Sequence, residues 1–214
     1  MRTASARCWK RVRRPWHRPS RRTRTNSRAH AGILWAATGS RCHGVRVVAV
    51  SEDFEIRPAR PEEYPAIGAL TVDVYVGDGY IHPESPYVPE LSDTESRARV
   101  AEIMVALRGG TVLGSLTVAR PGTPYANVAG PDEIEFRMLA VAKRARGSGV
   151  GTALVRTVIR TARAEGFAAV ALTTMPLMVD ARRMYERLGF VHVPERDWVA
   201  SSGTVLTVMR LDLA

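Results

Sequence analysis

A glycine-rich run joins two strongly patterned segments and constrains this chain more than any other feature. The run reads Arg146-Gly147-Ser148-Gly149-Val150-Gly151. A strand-like stretch over residues 133–141 precedes it, and an amphipathic helix pattern follows it as far as Gly166. Glycines at such a junction let the backbone approach an anion, and the free N–H groups and dipole of the helix N-terminus favour phosphate. The run therefore predicts an anion-binding turn.

Basic residues are concentrated at the N-terminus. Residues 1–46 contain 13 Arg or Lys and no Asp or Glu, whereas residues 47–214 contain 18 basic and 21 acidic residues. A segment of the first composition cannot bury enough apolar surface to fold. We interpret residues 1–46 as a disordered extension, or as sequence upstream of a start codon assigned too early, and residues 47–214 as the folded domain. The extension would bind nucleic acid only if it is real and used.

Several other classes of protein are disfavoured. No stretch approaches the roughly 20 apolar residues that span a bilayer, so no membrane partner is expected. Both cysteines, Cys8 and Cys42, lie in the extension, which leaves the domain without a thiol nucleophile or a disulfide. His82 and His192 lack metal-ligand spacing, so no metal is predicted. We expect a cytoplasmic protein, and a homodimer stays open.

Strand and helix patterns alternate along the domain in the order β-α-α-β-β-β-α-β-α-β-β. Strands are predicted over residues 54–58, 103–107, 111–119, 133–141, 168–173, 191–193 and 204–213, and helices over 61–77, 91–100, 150–165 and 181–188. This order predicts a mixed α/β domain whose helices pack on one twisted sheet.

Several motifs in this order resemble those of the GCN5-related N-acetyltransferase (GNAT) superfamily. The family signature Gln/Arg-x-x-Gly-x-Gly/Ala is matched by Arg146, Gly149 and Gly151, after a strand ending Leu139-Ala140-Val141. The later run MYERLGF, residues 184–190, is similar to the common family segment LYEKLGF. The resemblance covers about residues 54–213. It implies a GNAT-like mixed, mostly antiparallel twisted sheet of six to seven strands with about four helices.

The resemblance also implies that acetyl-CoA is the acyl donor. The turn residues Arg146, Gly147, Ser148, Gly149, Val150 and Gly151, together with Thr152, would hold the CoA pyrophosphate. The backbone of Leu139, Ala140 and Val141 would pair with the pantetheine arm and place an N–H near the thioester carbonyl. In other oxyanion holes such a donor contributes roughly 3–4 kcal/mol. The asparagine usual seven residues before the family tyrosine is Met178 here, and Thr173 and Thr174 are the candidates to replace its amide.

Two proton-handling residues follow from the same resemblance. Glu135 matches the glutamate base of histone-acetylating relatives, and Glu133, on the same face of the strand, or a bound water is the alternative base. Tyr185 matches the tyrosine that protonates the departing thiolate. Its position on an apolar helix face also suits a core tyrosine whose hydroxyl is satisfied by the protein.

The implied function is an N-acetyltransferase that transfers an acetyl group from acetyl-CoA to a primary amine by direct attack. The alternative is a non-catalytic acyl-CoA-binding domain that acts as a sensor or interaction module. The acceptor is a small-molecule amine or a protein amine, and its site is expected near residues 76–89 and 195–203, where Asp197 and Trp198 lie. The sequence does not identify the amine.

Overall fold

The computed structural model describes residues 49–51, by their backbone alone, and residues 54–213. The expected extension over residues 1–46 lies outside the described residues, together with both cysteines.

The described residues form nine strands and five α-helices. The strands are β1 (Ala49–Ser51), β2 (Phe54–Pro58), β3 (Glu102–Arg108), β4 (Thr111–Ala119), β5 (Glu133–Val141), β6 (Ala169–Thr174), β7 (Val191–His192), β8 (Trp198–Val199) and β9 (Val205–Asp212). The helices are α1 (Tyr64–Gly77), α2 (Val88–Ser92), α3 (Thr94–Ala98), α4 (Val150–Ala164) and α5 (Val179–Arg187).

The strands form one mixed sheet in the order β1-β2-β3-β4-β5-β6-β9-β7, and β8 pairs with β9 off this path. All neighbouring pairs are antiparallel except β5 and β6, which are parallel and are connected through α4. The predicted fold class is therefore confirmed. Two short strands, β1 and β8, are present in addition to the seven that were predicted. The sequence of the β8 segment shows no strand pattern.

Helices cover both faces of the sheet. On β3, Met104 and Ala106 belong to the main core under α4, whereas Ile103 and Val105 belong to a second cluster with Ile67 of α1. Alternate residues of a strand point to opposite faces, so α4 and α1 lie on opposite sides. The aromatic residues of the α5 segment pack with the α4 side of the core.

A bulge in β5 divides the sheet at its centre. Ser115 pairs with Ala140 and Thr117 with Arg137, so β5 carries one extra residue between the two pairs. Met138 within it has a φ of 54°, a left-handed conformation that side chains other than glycine rarely adopt. Pairing between β5 and β6 ends at Phe136 and Leu172. Beyond this point the two strands separate, and the edge of β5 faces a cleft.

The helix predicted over residues 91–100 is wrong in its extent. The structure has two short helices there, α2 and α3, which meet at Asp93. The Asp93 side chain accepts a hydrogen bond from the amide of Ser96 at 2.9 Å and thereby caps α3. The chain starts a new helix at Asp93 instead of continuing the first one, because aspartate stabilises a helix N-terminus better than a helix interior.

Candidate functional site

A cleft of about 580 Å³ opens where β5 and β6 separate. Its walls come from five elements: the C-terminal end of α1, the second half of β5, the glycine turn with the start of α4, the end of β6, and α5. Most of the residues proposed from the sequence meet here. Those that line the cleft are Leu139, Val141, Arg146, Gly147, Gly149, Val150, Gly151, Thr152 and Tyr185.

The glycine turn presents a row of backbone N–H groups. The amide of Arg146 donates to the carbonyl of Lys143, and the amide of Ala153 donates to the carbonyl of Gly149. Within the described residues no acceptor takes the intervening amides of residues 147–152, which we call the amide row. Gly147 and Gly149 have φ values of 77° and 86°, so the turn needs glycine at both positions. An amide row at a helix N-terminus suits a phosphate group.

Arg146 and Ser148 both bond within the protein. Arg146 donates from Nη2 to the Asp78 carboxylate at 2.5 Å and from Nε to the Val141 carbonyl at 3.3 Å. Lys143 lies 3.5 Å from the same carboxylate. These contacts tie the turn to the end of α1 and still leave the Arg146 side chain 43% exposed. The Ser148 hydroxyl donates to the Ala145 carbonyl at 2.7 Å, and its side chain is not part of the cleft wall.

The edge of β5 provides extended backbone along the cleft. Leu139 and Val141 line it and pack against the main core, whereas Ala140 is fully buried and does not line the cleft. Beyond Phe136 the β6 side of this backbone has no strand partner among the described residues. The geometry suits an extended, amide-containing ligand that adds to the sheet edge.

Tyr185 combines a buried ring with a hydroxyl at the cleft. Its ring packs edge-on against Phe136 and Phe190, with centroids 5.7 Å and 5.9 Å away. Burial raises the pKa of the hydroxyl, which is therefore protonated at neutral pH. Among the described residues nothing hydrogen-bonds to this hydroxyl. The arrangement differs from a core tyrosine whose hydroxyl is satisfied by the protein, and it leaves a proton donor facing the cleft.

Glu135 lies beneath the cleft and does not line it. Its side chain is fully buried, and Oε2 accepts hydrogen bonds from the amides of Val128 at 2.8 Å and Ala129 at 3.1 Å. Oε1 has no hydrogen-bond partner among residues 54–213, and the Arg137 Nε lies 3.9 Å from it. Burial raises the pKa of this carboxyl despite the nearby guanidinium and amides. Glu135 therefore holds the loop over residues 127–129 with one oxygen and has the other available for a proton.

Glu133 is occupied by structural ion pairs. Its carboxylate accepts from Arg196 Nη2 at 2.7 Å, from Arg210 Nε at 2.6 Å and from the amide of Gly130 at 2.8 Å. Burial opposes its ionisation, but these hydrogen bonds outweigh that effect and hold its pKa at about 2. A carboxylate this acidic is a poor base near neutral pH, which disfavours Glu133 in the alternative considered above.

A second cavity of about 60 Å³, which we call the inner cavity, is lined by other residues that the sequence analysis named: Thr173, Thr174, Met178 and Trp198. It shares Tyr75, Arg137, Met138, Thr173 and Met178 with the cleft. Trp198 from the C-terminal segment also lines it, as expected for an acceptor site. The Thr173 hydroxyl is buried and has no hydrogen-bond partner in the described part of the chain, whereas the Thr174 hydroxyl lies 3.8 Å from the Met178 sulfur.

The neighbouring Asp197 has a structural position instead. It accepts from the amide of Val208 at 2.8 Å and lies 2.8 Å from His192 Nε2. The described part of the chain contains no group of three or more His, Cys, Asp or Glu side chains placed to hold a metal ion. Nor do its helices include one that is long and apolar enough to cross a membrane.

The sequence analysis assigned no role to several charged and aromatic residues that line the cleft. Among them are Asp78 and Tyr75 of the α1 region, Arg137 of β5, and Arg183 and Arg187 of α5. Arg137 had a readable signal, because a cation lies two residues after Glu135 in an otherwise apolar strand. Asp78 had none, since its partner Arg146 is 68 residues away.

Comparison with known proteins agrees with this geometry. The model of the acetyltransferase (GNAT) family matches residues 65–190, more than half of the chain. The chain therefore belongs to the acetyltransferase (GNAT) family. Among curated relatives, N-acetyltransferase 8B of Rattus norvegicus is 35% identical over 100 residues, which cover 47% of this chain and 41% of the relative. N-acetylaspartate synthetase of Rattus norvegicus is 35% identical over 75 residues, which cover 35% of this chain and 25% of the relative. The chain thus spans about two fifths or less of these relatives.

Solved structures show the same fold. A GCN5-related N-acetyltransferase from Kribbella flavida has a TM-score of 0.56 and 29% identity, covering 76% of this chain and 99% of that one. The yncA protein from Salmonella typhimurium, solved with its cofactor acetyl-CoA, has a TM-score of 0.60 and 20% identity, covering 76% and 95%.

Proposed function

We propose that the protein is an acetyl-CoA-dependent N-acetyltransferase that acts on a primary amine by direct attack. The observation that carries this proposal is one cleft with three separate features. The amide row lies at one end, the unpaired edge of β5 runs along it, and the Tyr185 hydroxyl faces it. Family membership and the names of the curated relatives support nitrogen as the accepting atom.

The donor-binding residues follow from the cleft walls. Amides of residues 147–152 are proposed to donate to the CoA pyrophosphate, assisted by the positive end of α4. Arg183 and Arg187 line the same cleft and add positive charge for the phosphates. The backbone of residues 139–141 is proposed to hydrogen-bond the pantetheine amides.

The reaction forms a carbon–nitrogen bond, breaks the carbon–sulfur bond and removes two protons from the acceptor ammonium, one before the attack and one as the amide forms. The first is released to solvent by way of the base, and the second restores the acid after it has protonated the sulfur. Acetyl-CoA supplies an activated acetyl thioester; the amine nitrogen bonds to the acetyl carbon as the carbon–sulfur bond breaks. The acceptor ammonium must first lose a proton, and Glu135 Oε1 is the proposed base because its raised pKa brings it closer to neutral pH. Glu135 lines neither cavity, so the proton has to cross from the cleft to Oε1, and water is the carrier that we propose. Tyr185 is proposed to donate its hydroxyl proton to the departing sulfur.

The test is a panel of primary amines incubated with the full-length protein and acetyl-CoA. Release of free CoA thiol is measured together with the product mass. We expect at least one amine to gain a single acetyl group with equal release of thiol. If acetyl-CoA binds and no amine of the panel, including peptide N-termini and lysines, is acetylated, the non-catalytic acyl-CoA-binding module is the better description.

A further inference from the structure

Arg137 is a buried cation inside the predicted acceptor region. It lies on β5 immediately before the bulged residue Met138, and its side chain is only 10% exposed. It lines both the cleft and the inner cavity. Placing a guanidinium in such a position is costly unless an anion or several strong hydrogen bonds compensate for the lost hydration.

Within the described residues Arg137 makes a cation–π contact, with its Cζ 5.7 Å from the centre of the Tyr125 ring, but its hydrogen bonds are long. Nη2 lies 3.3 Å from the Tyr87 hydroxyl, and Nη1 lies 3.5 Å from the Tyr125 carbonyl. Among the described residues Glu135 is the one carboxylate within 4 Å, and at 3.9 Å it is too far for a hydrogen bond. Arg196 and Arg210, by contrast, contact Glu133 at 2.7 Å and 2.6 Å. Arg137 thus has donor capacity that the protein does not use.

The polar groups near Arg137 are also suited to an anion. Asn127 and Thr173 line the inner cavity, and the Asn127 amide nitrogen and Thr173 hydroxyl are buried without hydrogen-bond partners in the described part of the chain. Arginine, amide and hydroxyl groups are donors that together match the two oxygens of a carboxylate. A volume of about 60 Å³ holds roughly four water molecules, which is enough for a small group and not for a polymer.

We propose that Arg137 binds a carboxylate of the acceptor, so that the substrate class is small amines that carry a carboxylate, such as amino acids. The proposal rests on the N-acetyltransferase function proposed above and refines its acceptor. The proposal also gives the negative groups of the two substrates different binding sites. The CoA phosphates bind at the amide row, and the acceptor carboxylate binds in the inner cavity.

The test compares each amino acid with its own carboxamide, which keeps the amine and side chain and removes the negative charge. Initial rates of acetylation by the full-length protein are measured over a panel of such pairs. For the preferred amino acid, we expect kcat/KM to exceed that of its carboxamide by about 100-fold, which is the size of effect expected when a hydrogen bond between charged groups is lost. Arg137→Gln is expected to reduce this ratio to below about fivefold, mainly by raising the KM of the amino acid.

Two further variants make the result specific. Arg137→Lys keeps the charge and loses the two-pronged hydrogen bonding, so it should retain an intermediate ratio. Arg163→Gln, at an exposed position near the end of α4, should retain the ratio of the unmodified protein. Circular dichroism and thermal unfolding establish that each variant is folded.

Three results would overturn the proposal. The first is equal use of acids and carboxamides by the unmodified protein while some amine is acetylated, which leaves the N-acetyltransferase function intact. The second is an Arg137→Gln variant that keeps the preference. The third is an Arg137→Gln variant in which the KM for acetyl-CoA rises strongly and the KM for the amino acid does not, which would assign Arg137 to the binding of acetyl-CoA. Acetylation of no amine at all would instead remove the proposed function, and this inference with it.

Discussion

Gly151→Asp is expected to change fold stability and acetyl-CoA affinity in opposite directions. Gly151 lies in the first turn of α4, where a Cβ would be 3.4 Å from Val141 Cγ2 and 3.6 Å from the Met184 sulfur. These are ordinary contacts, so a side chain fits. Replacing a helical glycine contributes about 0.5–1 kcal/mol, and an acid in the first turn adds about 0.3–1 kcal/mol. The free energy of unfolding should therefore rise by about 1 kcal/mol.

The same carboxylate would lie within the amide row that we assign to the pyrophosphate. Two like charges about 5 Å apart repel by about 3 kcal/mol at an effective dielectric constant of about 20. Screening by salt reduces this to about 2 kcal/mol, which corresponds to a roughly 30-fold rise in Kd. Steric intrusion of the side chain acts in the same direction.

Calorimetric titration of acetyl-CoA and urea unfolding of the same samples measure the two effects. Gly151→Ala is the matched control, because it adds the Cβ and the helix propensity without the charge. Its Kd should rise by much less than that of Gly151→Asp. A Gly151→Asp protein that is as stable as expected and binds acetyl-CoA with unchanged affinity would refute the assignment of the pyrophosphate to this turn.

Three further variants test individual residues. Tyr185→Phe should lower kcat about 100-fold while leaving the KM for acetyl-CoA and the melting temperature nearly unchanged, because none of the residues that the structure describes bonds its hydroxyl. Equal kcat in the two proteins would exclude Tyr185 as the acid. Activity should fall as the pH drops through the raised pKa of Glu135, and Glu135→Gln should remove this acidic limb; an unaltered pH–rate profile would assign the base elsewhere. The pKa of Glu133 is about 2, below its ordinary value, so its ion pairs stabilise the fold above about pH 4.5 and this contribution disappears as the pH falls through about 2. Glu133→Gln should therefore lower the free energy of unfolding by about 2–3 kcal/mol at pH 7 and by less at pH 3, and an equal loss at both pH values would contradict the linkage.

The sequence predicted those parts of the fold that local patterns determine. The strand over residues 133–141 and the helix that follows the glycine turn were predicted to within a residue or two, because an alternating apolar strand, a glycine turn and a 3.6-residue repeat are each local signals. The two glutamates of β5 were correctly placed as neighbours two residues apart. Their different environments were not predictable, because Arg196 and Arg210 approach Glu133 from 63 and 77 residues away.

The bulge that opens the cleft had no readable signal either. It places Met138, rather than a glycine, in the left-handed region, so no residue type marked it. Such strain is maintained by the surrounding structure, here by Tyr87 and Leu91, which pack with Met138 in a buried cluster. The family resemblance implied where the acyl donor binds, whereas the acceptor side depends on side chains brought together from α1, β5, β6 and the C-terminal strands.

A crystal structure of the protein with acetyl-CoA tests the central claim most directly. We expect the pyrophosphate oxygens to lie about 2.7–3.2 Å from backbone nitrogens of residues 147–152, and the pantetheine arm to run along residues 139–141. The sulfur should lie within hydrogen-bonding reach of the Tyr185 hydroxyl. A pyrophosphate bound away from the turn, or a pantetheine arm outside the gap between β5 and β6, would contradict the account.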